Sequence, residues 1–190
     1  IDLSEGVSCS YFGEELPDRV MRFNSIQEAE TAIDKILNTV SLPRNFVVNM
    51  AGVDNAAAVI QGSTRYILYN QYFMREMKEQ TGSTWAPISV LAHEIGHHLA
   101  GHTLTDLGSR PDLELQADRY SGDVLQKLGA SLDEARIAMA TIGTTNATST
   151  HPAKKDRLAA ITDGWTNSCR SDSDCDDDTF GIPADEEIIV

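Results

Sequence analysis

The stretch Pro87-Ile88-Ser89-Val90-Leu91-Ala92-His93-Glu94-Ile95-Gly96-His97-His98-Leu99 decides how the chain is read. Leu91, Ile95 and Leu99 recur every fourth residue, Pro87 suits a first helical turn, and Thr81-Gly82-Ser83 closes the segment before it. A buried helix is predicted. Along it His93 and His97 stand one turn apart and about 40° from each other around the axis, so their imidazoles converge on one point. Glu94 falls on the flank of that pair, placed to act as a base without ligating a metal. His98 lies about 100° round from His97 and is expected at the core edge or the surface. Ala92, Gly96 and Ala100 form a small-residue stripe that suits close helix packing.

A catalytic zinc takes three protein ligands and keeps a fourth position open, so a third ligand is needed. The pattern HExxHxxGxxH requires Gly at 100 and His at 103, where this chain has Ala100 and Thr103. The alternative takes a glutamate from a following helix, and Glu114-Leu115-Gln116-Ala117-Asp118 supplies one 17 residues after His97. Asp118, one turn beyond Glu114, can accept the remaining N–H of a ligand histidine and fix its tautomer.

Around this core the chain reads as α+β. Ser25-Ile26-Gln27-Glu28 fits a capping box for a helix over about 25–40, ended by Pro43. Phe46–Met50, Ala57–Ile60 and Arg65–Tyr69 are β-prone and predict a small, mostly antiparallel sheet. Further helices are predicted over about 71–80, from Pro111 to Gly129, from the capping box Ser131-Leu132-Asp133-Glu134, and from Pro152 to about Ile161. This predicts one domain over residues 1–165 and an acidic tail or loop over 166–190.

The 190 residues carry 15 Lys+Arg against 29 Asp+Glu, a net charge of −14, which disfavours nucleic acid and anionic bilayers as partners. Eight of those acidic groups follow Ser171 with no base among them, leaving −6 for residues 1–171. Asp174, Asp176 and Asp178 alternate as a Ca²⁺ loop does, but Thr179 stands where such a loop needs Gly, so a solvated acidic tail is the main expectation. No apolar run approaches the ~20 residues of a membrane span. Cys9, Cys169 and Cys175 allow one disulfide in three pairings, Cys169 and Cys175 being nearest, or three reduced thiols. A disulfide favours an extracytoplasmic (periplasmic or secreted) location, and the N-terminal residues carry no signal core, so any targeting segment is expected to have been removed.

Leu91-Ala92-His93-Glu94-Ile95-Gly96-His97, His102 five positions on, Glu114-x-x-Ala117-Asp118, and His151-Pro152 followed by Arg157-Leu158 together resemble metallopeptidase family 48. That family includes HtpX-like proteases, CAAX prenyl proteases and soluble periplasmic relatives. Asn55-Ala56-Ala57-Ala58 and the run Tyr66–Tyr69 also resemble its Asn-Ala segment and the edge strand before its metal helix. The likeness covers roughly residues 25–162. It implies a zincin-like metalloprotease fold, one Zn²⁺ on His93, His97 and Glu114, Glu94 as general base, Asp118 as support and a protein or peptide substrate. It further implies that His151 stabilises the oxyanion or sits on the metal in a self-inhibited state, that Arg157 supports it, and that His102 has a structural hydrogen-bonding role. The strand over Arg65–Tyr69 is expected to pair with an extended substrate. The competing expectation is a latent or inactive zincin that serves as a binding or assembly factor, with the 144–151 loop over the metal.

Overall fold

The computed structural model describes residues 2–3, 7–12, 16–104 and 110–171, the side chains of Val7 and of 169–171 excepted. A Cys169–Cys175 pairing, the calcium reading of Asp174 to Asp178 and the acidic stretch beyond residue 171 lie outside these residues. Cys9 is a buried free thiol. Among the described residues no helix is long and apolar enough to cross a membrane.

The architecture is α+β, with five strands and six α-helices in the described residues: β1 (Val7–Ser10), β2 (Arg22–Asn24), α1 (Gln27–Thr39), β3 (Val47–Ala51), β4 (Ala56–Gln61), β5 (Thr64–Tyr69), α2 (Gln71–Thr81), α3 (Trp85–Leu99), α4 (Pro111–Lys127), α5 (Leu132–Ile142) and α6 (Lys154–Ser171). The sheet order is β1-β4-β5-β3-β2. Three of its pairings are antiparallel, as expected, whereas β3 and β5 run parallel. The sheet is therefore mixed. β5 lies between β4 and β3, so the expectation that Arg65–Tyr69 pairs with a substrate is corrected: both of its edges are already hydrogen-bonded.

Local chemistry explains where the helices start. Ser131 and Glu134 form the predicted capping box at α5. The one expected at Ser25 does not form; Tyr69 Oη lies 3.1 Å from both Ser25 Oγ and the Ile26 amide, so the tyrosine takes over the capping. Pro111 opens α4 as predicted. The last helix runs to Ser171 and so crosses residue 165, where the domain was expected to end.

α3 is buried from Trp85 to His98, packed against α4, α5, α2, α1 and strands β4 and β5. Apolar packing of this all-round kind, rather than amphipathicity, holds it in place. α4 and α6 cross where glycines remove side chains: a Cβ on Gly164 would lie 1.9 Å from the Arg119 carbonyl oxygen, and one on Gly122 would lie 2.1 Å from that of Ile161. This close crossing brings residues of α6 under those of α4.

Candidate metal centre

α3 ends at Leu99, and Gly101, at φ 73°, turns the chain sharply into a 3₁₀ turn over His102–Leu104. A left-handed residue is cheap only as glycine, and the reversal folds His102 back under His97. α4 then lays Glu114 and Asp118 against the imidazoles of α3, and α6 brings Arg157 to Asp118. Every residue singled out from the sequence as ligand, base or support is buried within this one cluster.

His93, His97 and Glu114 form a buried group able to hold a metal ion. His93 Nε2 and His97 Nε2 are 3.0 Å apart. Glu114 Oε2 is 3.2 Å from His93 Nε2, and its Oε1 is 3.4 Å from His97 Nε2. Neither carboxylate oxygen makes a hydrogen bond outside the histidines around it.

The outer ring nitrogens show why. His93 Nδ1 lies 2.9 Å from Asp118 Oδ1, and Asp118 is itself clamped by Arg157 through Nε at 2.7 Å and Nη2 at 2.8 Å. An ionised carboxylate only accepts, so His93 carries its proton on Nδ1. His97 Nδ1 lies 2.9 Å from His102 Nδ1, whose Nε2 faces Gln116 Oε1 at 3.3 Å. Reading back from that amide oxygen, His102 donates through Nε2 and accepts through Nδ1, so His97 also carries its proton on Nδ1. Both inner nitrogens thus present lone pairs to a buried carboxylate. Such a grouping is unfavourable in a buried site unless a cation sits among them.

A proton on His93 can play that part. Burial lowers the affinity of His93 for it, but the hydrogen bond and charge of Asp118, helped by Glu114, outweigh burial and raise its pKa to about 9. His97, chiefly through burial, is lowered to about 4. Burial would raise Glu114, yet His151, His93 and His97 together hold it well below the usual carboxylate range. Burial raises Glu94 to about 8, with Glu114 adding, against the opposing charge of His93, the Ala58 amide and Arg157.

His151 Nε2 lies 3.4 Å from Glu114 Oε2 and 3.1 Å from the Tyr11 carbonyl oxygen, while its Nδ1 has no partner. Arg157 Nη1 donates to that same carbonyl at 2.9 Å. The 144–151 loop therefore contributes His151 to the site, while Tyr11 packs over His93, ring edge to ring face, with centroids 4.9 Å apart. Cys9 lies close by; burial, with Glu114 and Glu94 adding, pushes its thiol up. His98 is not at the surface: buried, it contacts the Tyr66 carbonyl through Nε2 and Thr103 Oγ1 through Nδ1, and stacks on Phe46.

Sequence reasoning missed Tyr11, Cys9 and Gln116. The first two had a signal, because Val7, Cys9 and Tyr11 alternate with Ser8 and Ser10 as in a half-buried strand. Gln116 had none. Compared with protein-family models, with curated proteins and with solved structures, the chain matches none.

Proposed function

We propose that the chain is a zinc-dependent endopeptidase of the gluzincin type, with a zincin-like fold and the resemblance to metallopeptidase family 48 described above. One observation carries the reading: two imidazole nitrogens and a carboxylate converge at 3.0–3.4 Å in one buried group. Tetrahedral zinc with bonds of about 2.0–2.1 Å places its ligand atoms about 3.3–3.4 Å apart, so the donor set fits that ion with small adjustment. Neutral nitrogen and carboxylate donors also suit zinc by softness.

Held by His93, His97 and Glu114, a zinc ion would supply Lewis acidity toward water and a peptide carbonyl. The protein does the rest. Glu94, buried on the flank of the two histidines, takes the proton from the attacking water and passes it to the leaving amine. His151 Nε2 and Arg157 Nη1 converge on one peptide carbonyl oxygen in the structure, the arrangement required of an oxyanion donor pair. Asp118 and His102 hold the two imidazoles in their metal-binding tautomers.

The test is Glu94→Gln, which should retain zinc at the wild-type stoichiometry while peptide hydrolysis falls by several orders of magnitude. Equal hydrolysis by the variant would overturn the assignment. A second reading, a latent zincin acting as a binding or assembly factor, is supported by Tyr11 lying over His93. Digestion of a peptide library with and without chelator separates the two, since only the first predicts chelator-sensitive cleavage.

A further inference from the structure

Strand β1 occupies an unusual place. It pairs with β4 alone, antiparallel, in the register Val7 to Ile60, Ser8 to Val59, Cys9 to Ala58 and Ser10 to Ala57. The Tyr11 amide extends the ladder by donating to the Ala56 carbonyl at 3.0 Å. The Tyr11 carbonyl then leaves the sheet and is received by His151 and Arg157, the donors that lie beside Glu114. β4's other edge is filled by β5, so β1 holds the one edge of β4 at which another extended chain could pair.

An ordinary edge strand would satisfy its carbonyls with the sheet or with water. This one presents a peptide carbonyl to a buried imidazole and a buried guanidinium at the metal cluster, with its tyrosine ring over a ligand histidine. Those are the contacts an extended peptide ligand would make: main-chain pairing for affinity and one carbonyl oriented by two donors.

We propose that residues 7–12 are an intramolecular pseudo-substrate, and that the outer edge of β4 binds extended peptides, antiparallel, once this segment is displaced. Its catalytic consequence rests on the peptidase reading; the binding itself does not.

A disulfide lock tests this in the full chain. Directly opposed residues of an antiparallel pair have Cα atoms about 4.5–5.5 Å apart, within disulfide range. Ala58→Cys, combined with Cys169→Ser and Cys175→Ser, allows Cys9 to be tied to β4 by oxidation and released by a phosphine reductant. The probe is a labelled peptide, Val-Ser-Ala-Ser-Tyr-Phe, with binding read by anisotropy in a Glu94→Gln background and hydrolysis read with Glu94 intact. Reduction should tighten binding at least tenfold and raise hydrolysis at least tenfold, with metal content unchanged. Equal binding in both redox states, or none in the reduced state, overturns the proposal. Binding gated by the lock without hydrolysis in either state sinks the peptidase reading but not this one. Equal hydrolysis in both states does the reverse. Should Ala58→Cys fail to fold, the chain carrying only the two serine substitutions answers instead: the peptide should accelerate maleimide labelling of Cys9, and an unchanged rate counts against displacement.

Discussion

His102 shows how much a residue outside a metal's reach can matter. It accepts the Nδ1 proton of His97 and hands the chain of hydrogen bonds on to Gln116, which fixes the lone pair at His97 Nε2. His102→Ala should therefore weaken metal binding by roughly 10- to 100-fold, as loss of a supporting partner does, while leaving the fold intact. Competition with a chromophoric chelator measures this directly, and unchanged affinity would show that His97 needs no such partner. The grouping of His93, His97 and Glu114 was legible in sequence because helical spacing alone aligns His93 with His97 and Glu114 with Asp118. Tyr11 was not, because its place depends on a strand pairing with residues far along the chain, although its alternation with Ser10 and Cys9 was visible.

At the scale of elements, the crossing of α4 and α6 sets where Arg157 meets Asp118. Gly164 sits in a helix, where alanine has the better intrinsic propensity by about 1 kcal/mol, so propensity alone would make Gly164→Ala stabilising. The Arg119 carbonyl forbids the added Cβ, and the helices must part. The substitution should cost about 3 kcal/mol and lower Tm by on the order of 10 °C in a chain of this size. Gly52→Ala, with open space around its Cβ position and ordinary backbone, is the control and should melt near wild type. A calorimetric scan of both variants decides it. The same scale explains which elements could be foreseen. Helices announce themselves through local caps and prolines, as at Ser131 and Pro111. The cap at Ser25 failed because a distant tyrosine, Tyr69, took over its role, and the parallel pairing of β3 with β5 escaped because alternation of side chains carries no strand direction.

For the whole molecule, the proposed metal would compete with protons for one buried charge position, and stability should follow. His93 is raised to about 9 and Glu94 to about 8 in the metal-free fold, so the folded chain holds protons that the unfolded chain releases near pH 6.5 and 4.5. Their contributions are complete below those unfolded values and are lost as pH rises through about 8–9. Asp118 acts oppositely; its carboxyl is held down by Arg157 and His93 against burial, so its share is lost in acid, below the ordinary carboxylate range. Metal-free protein should thus melt several degrees lower at pH 9 than at pH 6.5. Metal at about 1,000 times its Kd adds about 4 kcal/mol and should flatten that slope, because the cation replaces the protons. Melting curves with and without chelator at the two pH values test this, and parallel slopes would contradict it.

The hydrogen bonds to the Tyr11 carbonyl also set a clock. Arg157 is 146 residues further along the chain, so at a synthesis rate of about 5–20 residues per second the carbonyl waits roughly 7–30 s for its partner to be made. The helices carrying His93, His97 and Glu114 are completed before Arg157 in that interval. Until Arg157 arrives, β1 is held by its ladder to β4 without the two donors that anchor its end. The nascent chain therefore passes through a period in which β1 is held on β4 by main-chain pairing alone and is most easily exchanged for a neighbouring polypeptide, and slow translation between Glu114 and Arg157 would lengthen that period.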